Sequence, residues 1–267
     1  MPNGDRVKET VRQQFSENAR EYLTSVSHAK GTDLQLLLDW LKPHKDWIVL
    51  DIATGGGHVA KTVAPYVNRI YATDITEIML ENTAMDLAPQ FGNMDFIIAD
   101  AESLPFLKEQ FDLVLCRIAP HHFPNPDKFV QEVARVLKEQ GKFILIDNVA
   151  PEDNELAEYV NTFEKLRDES HVRCLSILEW KELFKQSGLI EVKAVNRKKK
   201  HEYETWVERM ARDKEQIQAV TDYILNGNKK LHEYFNVIET NGSIQSVEID
   251  EWMVLCEKGP NAEYERN

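Results

Sequence analysis

The stretch VLDIATGGGHVA, residues 49–60, limits the fold more than any other part of the chain. An apolar run from Trp47 to Ile52 reads as a buried strand, and it passes through Gly55, Gly56 and Gly57 into a helical pattern that starts at His58. Consecutive glycines strip the Cβ atoms from a short arc of backbone. A ligand can then lie against the main chain, and the N–H groups opening the next helix favour a negative group.

The pattern around this unit is regular. Strands are expected at 47–52, 69–74, 94–99, 112–116 and 142–149, with helices at 58–66, 76–88 and 126–138 between them. Thr76 and Asn125 stand where N-caps belong, Pro126 suits a first helical turn, and the third helix should stop near Gly141. Alternating apolar strands and amphipathic helices imply a mostly parallel sheet with helices on both faces. Ligands in such sheets sit beyond the carboxyl ends of the strands. Asp51, Asp74, Asp100, Arg117 and Asp147 all fall at such ends.

The flanks are less regular. Residues 6–24 read as one helix or two with a polar break near Ser16, with Phe15 and Tyr22 on one face packing against the body of the fold. A helix carrying Leu34, Leu37, Leu38 and Leu41 ends before Pro43. After 150, helices are expected at 153–167 and 176–187, a strand at 189–195, and a final strand at 251–258 that extends back to about 247. The intervening 50 residues are too many for a hairpin loop and suggest a helical cap, helical around Tyr203–Met210 and Ile217–Phe235. The basic run Arg197–Lys200 reads as a solvated loop, with a site for an anionic substrate as the other reading.

A net charge of −13 argues against nucleic acid as a partner and against docking on anionic lipid. No apolar run reaches the roughly 18–20 residues of a membrane span, and the charged start lacks the apolar region of a secretory signal. Cys116, Cys174 and Cys256 are odd in number and far apart, which suggests neither a disulfide framework nor a metal site. A reduced, cytoplasmic protein is expected.

The ligand is the harder question. GGGHVA matches G-x-G-x-x-A and Asp74 follows Gly55 by 19 residues, so a dinucleotide-dependent oxidoreductase, using NAD or NADP, is one reading. Asp51, which precedes the glycines at the strand–loop junction, would repel a pyrophosphate but suits an ammonium group. With Asp100 as a further acid and no basic residue in the turn, an aminoacyl nucleoside such as S-adenosyl-L-methionine fits better.

VLDIATGGGHVA, YATDITEIML, IIADAESLPF, FDLVLCRIAPHHFPNP and EVARVLKEQGKFILID, in this order, resemble the class I S-adenosylmethionine-dependent methyltransferases, nearest to the UbiE/COQ5-like, type 11 group acting on small molecules. The resemblance is strong over about 45–150 and looser over RDESHVRCLSILEW (167–180). It implies a Rossmann-like fold: a mostly parallel seven-stranded sheet with an antiparallel C-terminal strand and a helical cap. A single methyltransferase domain over 1–267 would have N-terminal helices in 1–44, a cofactor-binding core in 45–150, cap insertions in 151–188 and 196–245, and its last strands at 189–195 and 247–258.

The resemblance also implies roles. Asp51, Ala53, Thr54, Gly55 and Gly57 would surround the methionine moiety, although the family often has glycine where Ala53 stands. Asp74 would bind the ribose hydroxyls, with Ile75 and Met79 beside the adenine. Asp100 would accept from the adenine amino group, with Ala101 alongside. Arg117 and Ile118 would border the sulfonium, and Tyr22 would close over the cofactor.

Methyl transfer requires alignment and exclusion of water more than a fixed catalytic triad. His121 and His122 are the candidate general bases, the other reading being a structural histidine beside Pro120 and Pro124; His171 and Arg173 are candidates for the substrate side, or for binding a helix end. Trp206, Tyr203 and Tyr234 suit either core or the floor of a pocket. Metal ligands are not expected. The acceptor, the methylated atom type and the oligomeric state are left open, and a cofactor-binding module without catalysis is a third reading.

Overall fold

The computed structural model describes residues 4–17 and 32–260. Helix α1 (Gly4–Glu17) runs through Ser16 without a break, and α2 (Thr32–Leu41) ends before Pro43. Tyr22 lies outside the described residues. Strand β1 (Ile48–Ile52) leads into α3 (His58–Val63) and a 3-10 turn at Ala64–Tyr66. Next come β2 (Arg69–Asp74), α4 (Glu77–Leu87), β3 (Met94–Ile98) and β4 (Phe111–Arg117). A 3-10 turn at Pro120–His122 precedes α5 (Pro126–Val136) and β5 (Leu137–Asn148). Beyond these lie α6 (Asn154–Arg167), α7 (Ile177–Gln186), β6 (Leu189–Glu202), α8 (Tyr203–Glu208), α9 (Lys214–Leu225), α10 (Lys229–Tyr234), β7 (Ile238–Thr240) and β8 (Ser243–Lys258).

The strand order is β3-β2-β1-β4-β5-β8-β6, with the three-residue β7 hydrogen-bonded to β8 off this path. The pairs among β1 to β5 are parallel, and β8 runs antiparallel between β5 and β6. This is the expected seven-strand path with one additional short hairpin strand. The order reverses between β1 and β4, and a crevice opens there beyond the strand ends.

Two apolar layers hold the sheet. On one face Phe129, Val133, Trp180 and Phe184 from α5 and α7 pack over Leu50, Val114 and Phe143. On the other, Leu34, Leu37, Val59 and Val63 from α2 and α3 cover Val49, Ile70 and Leu115. Cys116 and Cys256 are buried in β4 and β8, and Cys174 is also buried and free.

Several local expectations shift. Helix α5 stops at Val136 rather than near Gly141, because Leu137 turns extended and pairs with Phe111. Gly141 lies within β5, where an added Cβ would stand 2.8 Å from the Lys138 carbonyl oxygen, so close backbone approach at the irregular pairing requires glycine. Thr76 and Asn125 hold N-cap positions, but neither side chain makes a cap bond. The Asn125 backbone N–H and amide instead donate to Glu102, at 2.7 and 2.9 Å.

The largest correction concerns 196–202. The run Arg197–Lys200 is not a loop but the second half of β6, paired with β8 from Glu251 to Glu248. Arg197 and Lys199 both reach the Glu251 carboxylate, and Lys198 reaches Asp250 at 3.0 Å. Cross-strand carboxylates make a cationic strand stable. Their sequence distance of more than 50 residues hid them. Both terminal strands are accordingly longer than expected, and the cap (α6 with α8 to α10) packs Tyr159, Phe163, Trp206 and Phe235 onto Val247 and Ile249 of β8. The helical stretch expected at Ile217–Phe235 is two helices separated at Asn226–Asn228. Tyr203 and Trp206 belong to this core, while the Tyr234 hydroxyl donates to Asp250.

Candidate active site

A cavity lies in the crevice between the ends of β1, β2 and β4. The glycine turn forms one wall. Ala53 (φ 53°), Gly55 (φ 51°) and Gly57 (φ 72°) are all left-handed, which curls the chain into a concave arc. Asp74 ties this arc to β2: its Oδ2 accepts the Gly55 N–H at 3.0 Å and its Oδ1 accepts the Thr76 N–H at 2.9 Å. The Thr83 hydroxyl donates to the Gly55 carbonyl at 2.6 Å.

The two outer glycines act differently. A Cβ at Gly55 would meet nothing within 4 Å and would point into open space. A Cβ at Gly57 would collide with Leu87 Cδ1 at 2.5 Å and Thr83 Cγ2 at 2.7 Å, so Gly57 serves helix packing and does not line the cavity.

Asp51 and Asp74 are both buried. Burial pushes the Asp51 carboxyl up to about 7, even though the Thr54 hydroxyl donates to it at 2.6 Å. Burial raises Asp74 as well, opposed by its backbone hydrogen bonds. Opposite them stands Arg117 at the end of β4. Its Nε donates to the buried Asp33 of α2, while Nη2 is buried with no hydrogen-bond partner. Ile118 follows with φ 53°, an outlier for a β-branched residue. Thus Ala53 and Ile118, each immediately after a strand, are strained on the two sides of the switch point.

Of the residues expected at the site, Asp51, Ala53, Thr54, Gly55, Asp74, Ile75, Met79, Arg117 and Ile118 line this cavity. Asp100 and Ala101 line a smaller adjoining one, which shares Val11, Ala53, Ile75, His122 and Phe123 with it. Asp100 is engaged: Lys8 of α1 places its ammonium 2.6 Å from Asp100 and 2.6 Å from Glu102. Burial pulls the Lys8 ammonium down, but the two carboxylates outweigh it and its pKa is raised. Lys8 and Val11 were not expected at the site, and nothing in the local pattern of α1 marked them; Phe15, expected to pack against the body of the fold, lines the cavity.

A second cavity lies between the sheet end and the cap. Phe15, Ile118 and His122 line both cavities. His121 faces this second space, with its Nδ1 2.6 Å from Asp147 Oδ1 and its backbone N–H donating to Asp147 Oδ2 at 2.9 Å. Burial lowers the His121 pKa, but the Asp147 carboxylate outweighs it and the net shift is upward. His122 goes the other way, to about 3, through burial and repulsion from His121. Its Nδ1 meets Ser170 Oγ at 3.1 Å, and its ring stands edge-on to Phe15.

The structure places neither His171 nor Arg173 against the cavities. His171 is buried, bonded through Nε2 to Asn161 Oδ1 at 3.1 Å, and Arg173 pairs on the surface with Glu179. Their segment works through backbone instead: the Val172 and Arg173 N–H groups donate to the His121 carbonyl, at 2.9 and 3.1 Å. Among the described residues, no group of three or more His, Cys, Asp or Glu could hold a metal ion. No described helix is long and apolar enough to cross a membrane.

A sheet of this order, with its crevice at the β1/β4 switch and Asp51 and Asp74 near the ends of β1 and β2, has the architecture of the class I S-adenosylmethionine-dependent methyltransferases. The comparisons agree. A methyltransferase-domain family profile matches residues 50–145. YcgJ of Bacillus subtilis strain 168, an uncharacterized methyltransferase, is 36% identical over 231 residues, covering 85% of this chain and 91% of its own. The crystal structure of YcgJ from that species superposes with a TM-score of 0.82 at 33% identity over 85% of this chain and 98% of its own. The ubiquinone/menaquinone biosynthesis C-methyltransferase UbiE of Rickettsia typhi is 36% identical over 114 residues, which is 39% of this chain and 46% of UbiE. The chain belongs to the S-adenosylmethionine-dependent methyltransferase family.

Proposed function

We propose that this protein binds S-adenosyl-L-methionine in the β1/β4 crevice and methylates a small molecule seated in the adjoining cap cavity. One observation carries the reading: two buried acids, Asp51 and Asp74, face a buried guanidinium whose Nη2 has no partner, across a backbone arc that has open space at Gly55. An acid poised near neutrality suits an ammonium, a guanidinium nitrogen without a partner suits a carboxylate, and a second acid at the end of β2 suits ribose hydroxyls. Residues Ala53, Ile75, Met79, Ile118 and Phe123 supply the apolar surface for the rest of the cofactor.

When bound, the cofactor supplies an electrophilic methyl group on a sulfonium. His121 would take the proton of the acceptor's nucleophile. Asp147, by accepting a hydrogen bond from Nδ1–H, would hold the tautomer whose Nε2 lone pair is left for that task. The acidic composition and the free, buried cysteines support a cytoplasmic setting for a protein acting as one domain over the whole chain.

The test is in two parts. S-adenosylhomocysteine should raise the melting temperature and NADH should not; the reverse would restore the dinucleotide reading. Incubation with methyl-labelled cofactor and a metabolite extract should transfer label to a small molecule. Cofactor binding without transfer from any extract would leave a binding module in place of an enzyme.

A further inference from the structure

Arg117 closes β4 and lines the cofactor crevice. A carboxylate beside an arginine commonly takes two parallel N–H bonds from it, a fork upon a fork. Here the fork is not completed. Asp33 Oδ2 accepts from Arg117 Nε, while Arg117 Nη2 is buried with no hydrogen-bond partner. The two side chains are only 6% and 2% exposed, so bulk water does not meet that nitrogen.

The reason lies at the other oxygen of Asp33. Arg197 Nη2 of β6 stands 3.4 Å from Asp33 Oδ1. Arg197 is itself held by Glu251 of β8, whose Oε1 accepts from its Nε at 2.7 Å, and Lys199 reaches Glu251 Oε2 at 2.8 Å. Asp33 is therefore divided between two guanidinium groups, one oxygen for each. Burial pushes its carboxyl up, but Arg117, Lys199 and Arg197 outweigh burial and hold it below the ordinary value, so Asp33 is ionised at neutral pH.

A buried guanidinium N–H without an acceptor is costly, and an anionic oxygen meets it best. Among the described residues none supplies one to Arg117 Nη2. A ligand carboxylate in the crevice has the required chemistry.

We infer that Asp33 and Arg197 are positioning residues for the carboxylate of the cofactor: they hold Arg117 by its Nε and keep Nη2 available to the ligand. This rests on the reading of the crevice as the S-adenosylmethionine site. Neither residue lines the crevice, so each acts through Arg117. A pairing that only anchored α2 to the sheet would stabilise the fold without distinguishing one ligand from another.

Calorimetry on the full chain separates these roles. The two probes are S-adenosylhomocysteine and its decarboxylated analogue S-adenosyl-3-thiopropylamine, which keeps the ammonium and lacks only the carboxylate. The wild-type protein should bind S-adenosylhomocysteine about tenfold or more tightly than the analogue. Arg197→Gln releases Asp33 Oδ1 to complete the fork on Arg117. It should weaken S-adenosylhomocysteine about tenfold and leave the analogue within about twofold, which also shows that the variant folds. A crystal structure of the wild-type complex, which depends on no variant, should show a ligand carboxylate oxygen within hydrogen-bond distance of Arg117 Nη2 while Asp33 stays on Nε. Equal weakening of both ligands, weakening of neither, or a ligand carboxylate bound away from Arg117 would overturn the inference. A wild-type protein that binds neither ligand would overturn the cofactor reading itself, and the inference with it.

Discussion

Asp147 grips His121 twice, through the backbone N–H at 2.9 Å and through the ring Nδ1 at 2.6 Å. The double contact fixes the ring on the turn after β4 and raises its pKa against the opposing effect of burial. His121 in the complex with S-adenosylhomocysteine is therefore expected to titrate above 6.5 by NMR of the imidazole nitrogens, and Asp147→Asn should bring the midpoint down. The contact stabilises the fold fully below 6.5, and this contribution disappears as pH rises through the folded value. Methyl transfer, which needs the neutral ring, should have the opposite dependence and fall with decreasing pH through the same value. A wild-type midpoint below that of Asp147→Asn would remove the pair from the mechanism.

Asp51 is expected to make S-adenosylhomocysteine affinity depend on pH. Its folded pKa of about 7 lies above the ordinary 3.8, so the folded protein holds that proton more tightly than the unfolded chain does. The associated stability is complete below about 3.8 and is lost as pH rises through about 7. A ligand ammonium favours the ionised carboxylate. S-adenosylhomocysteine should thus bind more tightly at pH 8 than at pH 6 in calorimetry, with net proton release at the lower pH. Asp51→Asn should flatten the dependence, and an unchanged slope would mean another group is responsible.

The glycines of the turn should separate in mutagenesis. Gly57→Ala places a methyl 2.5 Å from Leu87 at a left-handed position and should cost about 2–4 kcal/mol in urea unfolding. Gly55→Ala meets no neighbour and should cost only about 1 kcal/mol, from its left-handed φ. Its larger effect should be on S-adenosylhomocysteine affinity, because the methyl projects into the cradle.

Ala53→Gly should be neutral or stabilise by up to about 1 kcal/mol, since relief of the left-handed strain at φ 53° is offset by greater freedom of the unfolded chain. A loss of stability in the same urea experiment would show that the Ala53 methyl contributes packing that outweighs the strain.

Lys8 joins α1 to the loop after β3 through Asp100 and Glu102. Lys8→Ala should raise amide exchange across α1 while leaving β1, β4 and β5 protected, as measured by hydrogen exchange with mass spectrometry. Uniformly faster exchange would mean that the contact supports the whole fold and not the docking of one helix.

The sequence alone determined the layer architecture and most of the residues that line the β1/β4 crevice. Strand and helix periodicities are local, and Asp51, Gly55 and Asp74 sit at strand ends that those periodicities define. Local pattern failed where partners are distant. Arg197–Lys200 resembled a loop because the carboxylates that pair with it arrive from β8, and Lys8 was unmarked because Asp100 lies 92 residues away. Tertiary structure decided the rest. It divided one glycine motif into a cradle at Gly55 and a packing contact at Gly57, and it set His121 on Asp147 while turning His171 and Arg173 away from the cavities. Backbone direction and local spacing are written in short windows of sequence, whereas side-chain partnership depends on which strands become neighbours, and only the closed sheet fixes that.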